Sequence, residues 1–166
     1  MRIQFIKQIP FWLFLGLIVS TGAHLPEDRM APEERLLRNQ LVGYAQQYVG
    51  LPYHYGGTCP ETGFDCSGFV RFVLNDFGFD VTRTSRGQSQ EGFPVTLQRV
   101  EPGDLLFFGR NGRVGHVGMV VRRDASGVYF VHSSRRGIVV DNLYGISYYS
   151  TRILWARDVI SEQLIK

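Results

Sequence analysis

The second half of the chain alternates short apolar segments with tight-turn sequences, and this pattern constrains the fold more than any other feature. The apolar segments are rich in β-branched and aromatic residues, and turn signals such as EPGD, RNG and DASG separate them. Connections this short rule out helical crossovers between the strands, because parallel strands need a crossover of a dozen or more residues. We therefore expect an antiparallel sheet that contains DLLFFG, HVGMVV, GVYFVHSS, GIVVDNL and ILWARDVI.

Ahead of these strands, the spacing of apolar residues changes to the three-to-four interval of a helix. Residues 33–48 are typical of an amphipathic helix, with apolar positions running from Leu36 to Val49. Residues 84–91, TSRGQSQE, predict a short polar helix. Helices that precede an antiparallel sheet define an α+β fold, and we expect helices packed on a C-terminal sheet of about five or six strands.

The segment GFDCSGFVRFV contains one of the two cysteines of the chain. A helix is predicted over residues 66–77, with Asp65 as its N-cap and Gly78 as its stop signal. Cys66 would then lie at the N-terminus of the helix, where unpaired N–H groups and the helix dipole stabilise a thiolate. This position suits a nucleophile. A buried structural cysteine is the alternative, since free cysteines are among the most buried residues.

The start of the chain has the features of a secretory signal peptide. Arg2 and Lys7 precede an apolar run over residues 9–19, and small residues follow it up to Ala23. The run has about half the roughly 20 residues that a membrane span requires, so an uncleaved anchor is the second choice. We expect the signal peptide to end at Ala23 and residues 24–166 to form one domain, with no stable membrane span after cleavage.

The charge balance argues against nucleic acid as a partner. The chain has 18 basic and 15 acidic residues, a formal net charge of +3. Loss of Arg2 and Lys7 would bring the mature charge to about +1, and the arginines are spread along the chain, whereas polyanion-binding proteins carry a basic excess or a basic stripe.

Two histidines fall inside predicted strands. His116 lies in VGHVGMVV and His132 in YFVHSS, and the hairpin-length link RRDASG makes these strands neighbours. With Cys66, the pair has the composition of a nucleophile, a base and a group that orients the base. The alternative is that each histidine is a half-exposed strand residue with no chemical task.

The motifs GFDCSGFVRFVL, PGDLLFF, GHVGMVV and FVHSS occur in an order that resembles the NlpC/P60 family of cell-wall cysteine peptidases. The resemblance covers the chain from about residue 38 to 160. It implies a papain-like α+β fold and cleavage of peptide bonds in the stem peptides of peptidoglycan, without a metal or other cofactor. Some members cut the link between D-glutamate and the diamino acid, and others cut the crosslink between stems.

The same resemblance implies catalytic roles. Cys66 corresponds to the nucleophile, His116 to the general base and His132 to the polar third member that orients it. Tyr53, in PYHYGG, corresponds to the residue whose hydroxyl stabilises the oxyanion beside the backbone N–H of Cys66. Tyr55 competes for this role, and the family spacing to the glycine pair favours Tyr53. A packed loop aromatic without a chemical task is the alternative for Tyr53.

Candidate substrate-binding residues flank the nucleophile. For Asp65, an N-cap alone is the favoured interpretation, and contact with the amine of a substrate in addition to capping is the alternative. Ser67 is small enough to allow close approach. The segment TRTSRGQSQE matches the part of the family that borders the substrate groove, where Arg83, Ser85 and Arg86 would meet carboxylates of the stem peptide. A solvated charged loop is the alternative for the arginines.

The sequence leaves four other interpretations open. A disulfide between Cys59 and Cys66 would silence the enzyme as a redox lock, although two free thiols are favoured. A zinc site built from His54, Cys59, Cys66 and one strand histidine has no recurrent zinc spacing. The remaining two are a binding module that kept the fold without the activity, and acyl transfer by the same cysteine.

Overall fold

The computed structural model describes residues 30–165. The signal peptide predicted over residues 1–23 lies outside this range. Among the described residues, no helix has the length and apolar character needed to cross a bilayer. The helices of this part of the chain are α1 (Pro32–Gln46), α2 (Cys66–Asp76), α3 (Ser85–Gln88), α4 (Ser147–Ser150) and α5 (Val159–Leu164).

The strands form a six-stranded sheet and a separate two-stranded one. The large sheet has the order β3-β8-β4-β5-β6-β7, and every neighbouring pair is antiparallel. The α+β prediction of helices followed by an antiparallel sheet is therefore confirmed. The strands are β1 (Thr58–Cys59), β2 (Gly63–Phe64), β3 (Phe93–Val95), β4 (Leu105–Arg110), β5 (Arg113–Asp124), β6 (Gly127–Ser134), β7 (Gly137–Asn142) and β8 (Ile153–Asp158).

The turn between β4 and β5 shows how the sequence specifies the sheet. Arg110 pairs with Arg113, and the two residues between them have positive φ, 51° at Asn111 and 71° at Gly112. Positive φ at both central positions is the geometry of a two-residue hairpin, which Asn-Gly strongly favours. The RNG signal therefore sets the pairing next to the turn, where Gly109 lies opposite Val114. The register then shifts by one residue, leaving Gly115 without a partner in β4, and this shift brings His116 opposite Phe108.

Both faces of the sheet are buried. In β4, Leu105 and Phe107 belong to one apolar cluster, which also contains residues of α1 and α2. Leu106 and Phe108 belong to a second cluster on the other face, which includes Tyr149 of α4. This explains why β4 is apolar at successive positions, since a strand covered on both faces has no solvent side.

The helix predicted over residues 66–77 is confirmed to within one residue as α2. The Asp65 side chain accepts a hydrogen bond from the Gly68 N–H at 2.7 Å, and Gly78 has a φ of 82° just beyond the helix end. These are the expected N-terminal cap and left-handed C-terminal stop. Phe69 and Val73 are fully buried on the inner face of this helix.

The prediction for the C-terminal segment ILWARDVI was partly wrong. The strand β8 ends at Asp158, and Val159 begins α5. The Asp158 side chain accepts hydrogen bonds from the N–H groups of Ile160 and Ser161, at 3.1 and 3.0 Å. An N-cap thus converts an apolar stretch with strand-like composition into a helix.

Helix α1 buries a charged residue that the apolar pattern did not predict. Leu36 is 60% exposed, whereas Arg38 is 1% exposed. The guanidinium donates to Asp104 at 2.9 Å and to Asp158 at 2.6 Å, while its Nε donates to Glu34 at 2.8 Å. These bonds connect α1 to the start of β4 and the end of β8.

Candidate functional site

Cys66 is the first residue of α2, and it lies against β5. The backbone N–H of Val117, the residue that follows His116, is near enough to the Cys66 sulfur to lower the pKa of the thiol. Burial raises the pKa of the Cys66 thiol and outweighs the lowering by Val117 and the first N–H groups of α2. The thiol form is therefore favoured in the free protein, although a helix N-terminus by itself favours the thiolate.

The two strand histidines are in contact, as the sequence indicated. His116 lies on β5 and His132 on β6, and the distance between His116 Nε2 and His132 Nδ1 is 2.9 Å. Their rings are nearly perpendicular, at 84°. His132 is fully buried, whereas His116 is partly exposed at the surface.

A third side chain extends this contact. Oδ2 of Asp141, on β7, lies 3.0 Å from His132 Nε2, and Asp141 also accepts a hydrogen bond from the Arg136 guanidinium. Sequence reasoning missed Asp141. The available signal was a single acid at an inward-facing position of an otherwise apolar strand, GIVVDNL, beside the strand that carries His132.

These contacts define the tautomers of both rings. An ionised carboxylate only accepts hydrogen bonds, so Asp141 requires a proton on Nε2 of His132. The Nδ1 atom of His132 is then an acceptor, and the proton between the rings belongs to Nε2 of His116. Nδ1 of His116 is therefore the nitrogen with a free lone pair, available to take a proton from another group.

Both rings are neutral around neutral pH. Burial, together with the adjacent His132, lowers the pKa of His116 to about 3. Burial also lowers the pKa of His132, and the nearby Asp141 only partly offsets this. With the raised pKa of Cys66, the resting site is a thiol beside a neutral imidazole.

Tyr53, and not Tyr55, lies beside Cys66. The backbone of Tyr53 bridges to Phe64, which brings the tyrosine beside the start of α2. Burial raises the pKa of the Tyr53 hydroxyl, and the neighbouring Cys66 and Asp65 add to the effect. Tyr55 is 85% exposed.

The Asp65 carboxylate is surrounded by donors. Besides capping Gly68, it accepts from the Gly56 N–H at 3.0 Å and from the Ser67 hydroxyl at 3.2 Å. Arg83 makes a bidentate pair with it, at 2.9 and 2.7 Å. Burial raises the pKa of Asp65, but the bonds from Arg83, Gly68 and Ser67 outweigh burial and hold the pKa below its ordinary value.

Through Arg83, the segment 82–91 therefore stabilises the N-terminus of α2. Arg83 also donates to the Ser67 hydroxyl at 3.1 Å, so its guanidinium is directed at protein groups. Ser85 begins α3 and is partly buried, while Arg86 is exposed. The contact of these three residues with substrate stays a prediction.

A cavity of about 520 Å³ opens beside Cys66 and His116. Sequence reasoning missed most of its wall, because the wall comes from the β6–β7 turn and α4, which carry no recognisable motif. The residues that line it are Tyr53, Cys66, Gly115, His116, Ser133, Ser134, Arg135, Arg136, Tyr148 and Tyr149.

Cys59 is separate from this chemistry. Cys59 and Cys66 are both free thiols, and the Cys59 sulfur lies 3.2 Å from the Thr62 hydroxyl. Over residues 30–165, no three histidine, cysteine or acidic side chains are gathered as metal ligands. The zinc set that includes His54 is thus not assembled in this structure.

The chain belongs to the NlpC/P60 family, whose sequence model matches residues 50–158. It is 29% identical over 140 residues to gamma-DL-glutamyl hydrolase of Bacillus subtilis, a match that covers 82% of this chain and 33% of that protein. The chain thus corresponds to about a third of the length of this relative.

Solved structures of the family have the same fold. An NlpC/P60 family protein from Bacillus cereus superimposes with a TM-score of 0.68 at 30% identity, over 74% of this chain and 40% of that one. The NlpC/p60 domain of the peptidoglycan hydrolase SagA gives a TM-score of 0.60 at 29% identity, over 73% and 97% of the two chains. The papain-like fold expected from the sequence is confirmed, and the family includes peptidoglycan hydrolases.

Proposed function

We propose that this protein is an exported cysteine peptidase that hydrolyses peptide bonds in the stem peptides or crosslinks of peptidoglycan. The observation that carries the proposal is the continuous contact from His116 through His132 to Asp141, next to a cysteine at the start of a helix. Membership of a family with peptidoglycan hydrolases supports the substrate class, and the signal-like sequence up to Ala23 supports export.

The first step is attack on the scissile carbonyl. As the Cys66 sulfur bonds to the carbonyl carbon, its proton passes to the free Nδ1 of His116, so that a neutral pair becomes an imidazolium and a tetrahedral oxyanion. His132 accepts the hydrogen bond from the Nε2–H of this imidazolium, and Asp141 holds His132 in the matching tautomer. Asp141 and His132 therefore position the base and need not exchange protons.

The oxyanion needs donors that are in place before the reaction. The backbone N–H of Cys66, at the unpaired end of α2, supplies one such donor. The Tyr53 hydroxyl supplies the second, since it shares the cavity wall with the thiol and its raised pKa keeps it protonated.

Collapse of the tetrahedral intermediate breaks the C–N bond. The proton on Nδ1 of His116 moves to the leaving amine, and the acyl half remains on Cys66 as a thioester. A water molecule, deprotonated by the same nitrogen, then attacks the thioester. The products are a free carboxylic acid, a free amine and the original thiol.

Asp65 and Ser67 are proposed to bind the acyl half of the substrate. The ionised Asp65 carboxylate is suited to a substrate ammonium group, and Arg83 keeps it charged and oriented. Ser85 and Arg86 are proposed to lie at the border of the same groove.

Digestion of purified peptidoglycan under reducing conditions tests the proposal. The wild-type protein, Cys66→Ala and the matched control Cys59→Ala are compared, and released muropeptides are identified by mass spectrometry. We expect the wild type and Cys59→Ala to release the same fragments and Cys66→Ala to release none. The absence of products from folded wild-type protein would overturn the proposal in favour of a binding module with the same fold.

A further inference from the structure

The cavity beside Cys66 has an unbalanced positive charge. Its wall contains Arg135 and Arg136 and no acidic or lysine side chain. The charge of Arg136 is offset, because its guanidinium is paired with Asp141. The excess charge of the cavity therefore belongs to Arg135.

Arg135 is available to a ligand. It is exposed in the β6–β7 turn, and among residues 30–165 its guanidinium has no hydrogen-bond or ion-pair partner. It lines the same cavity as Cys66 and His116, and its charge opposes the rise that burial causes in the pKa of the Tyr53 hydroxyl there. A planar guanidinium with five free donors suits bidentate binding of a carboxylate.

The position of the cavity indicates which half of the substrate it holds. The leaving amine must approach His116, because this histidine delivers the proton to it. Gly115 and His116 both line the cavity, and a side chain added at Gly115 would meet no atom within 4 Å. The cavity thus has open space on the side of the base, where the amine half of the substrate must lie.

We propose that Arg135 selects a substrate whose amine-side residue carries a carboxylate at the end of its side chain. This inference rests on the proposed function and names the substrate class for the same site. A diamino acid with such a carboxylate forms a charge-assisted hydrogen bond with Arg135. A lysine in the same place would bring an ammonium group next to an uncompensated guanidinium and would be disfavoured.

Two peptides that differ by one charge test this proposal. The first is the tripeptide L-Ala-γ-D-Glu-meso-diaminopimelate, and the second has the side-chain carboxylate of the diaminopimelate converted to a carboxamide. The ratio of kcat/KM for the two peptides is measured for the wild type, Arg135→Gln and Arg110→Gln. Arg110 is an exposed arginine at the end of β4 and outside the cavity, so its variant removes the same charge elsewhere.

We expect the wild type and Arg110→Gln to prefer the acid peptide by about tenfold, as one charge-assisted hydrogen bond would give. Arg135→Gln should reduce the preference to about twofold or less. Equal turnover of the two peptides by the wild type, or an undiminished preference in Arg135→Gln, would overturn the inference.

Binding measured by calorimetry separates this inference from the proposed function. Cys66→Ala, with and without Arg135→Gln, is titrated with each peptide. If the wild type cleaves neither peptide, the proposed cleavage of the bond between D-glutamate and the diamino acid fails. The ratio of the affinities for the acid and carboxamide peptides then decides the role of Arg135. A tenfold preference for the acid that depends on Arg135 supports the inference, and equal affinity or no binding refutes it.

Discussion

His132 Nε2 lies 3.0 Å from Asp141 Oδ2, with the histidine fully buried and the aspartate 8% exposed. This contact determines which nitrogen carries the proton in each of the two histidine rings. Asp141 orients the proton on His132, His132 orients the proton on His116, and His116 is left with one free nitrogen. The chemistry proposed at Cys66 therefore depends on a carboxylate on the far side of two rings.

Replacing Asp141 with asparagine should favour the opposite tautomer of His132, with its proton on Nδ1. The asparagine amide can donate to Nε2 of His132, which favours the wrong tautomer, and we expect kcat/KM to fall by about 10² or more. The pH–rate profile of the remaining activity should also change, whereas loss of packing alone would leave its shape intact. Asp124, at the end of β5, is an exposed acid, and Asp124→Asn serves as the control that should keep wild-type kinetics.

Removal of the Arg83 guanidinium should weaken the start of α2. Arg83→Gln breaks a bidentate pair with Asp65, and we expect the free energy of unfolding to fall by about 1–2 kcal/mol. Arg83→Lys should recover only part of the loss, because an ammonium cannot form the two parallel bonds. Urea denaturation measures both variants. Arg86→Gln removes a nearby exposed guanidinium and serves as the control. If it lowers the free energy of unfolding as much as Arg83→Gln does, the stabilising role of the Arg83–Asp65 pair is contradicted.

The histidine pair should make the protein less stable in acid. The folded-state pKa of His116 is depressed to about 3, below the ordinary 6.5, so its contribution to stability is present above pH 6.5 and is lost as the pH falls toward 3. Between pH 7 and 5, the stability of the wild type relative to His116→Gln should drop by up to about 2 kcal/mol. His54→Gln, in an exposed loop position, should follow the wild type. If the free energy of unfolding depends on pH in the same way for the wild type and His116→Gln, the prediction is refuted.

Asp104 should have the opposite pH dependence. Burial beside Asp158 raises its pKa to about 7, although Arg38 opposes the shift. The folded protein then binds a proton more readily than the unfolded chain, so the contribution of Asp104 is full below pH 4 and is lost as the pH rises through 7. From pH 5 to pH 8, Asp104→Asn should gain about 2 kcal/mol relative to the wild type in urea denaturation. Asp80→Asn, at an exposed position, should show no such gain.

Much of the fold follows from local sequence signals. The Asn111-Gly112 turn, the Asp65 cap and the alternation of apolar and turn segments each act over a few residues, and each predicted its element correctly. The errors lie where tertiary packing prevails over local pattern. Leu36 is exposed although it fits the apolar spacing, because the side of α1 that faces the core instead buries Arg38 among three carboxylates.

The candidate site divides in the same way. The sequence by itself determined that Cys66 begins a helix and that His116 and His132 lie on neighbouring strands, because capping and turn length are local properties. Only the tertiary structure decided that Asp141 completes the contact, that Arg83 faces Asp65, and that burial raises the pKa of the thiol. These features depend on groups distant in sequence and on how fully the folded chain excludes water, which no short segment encodes.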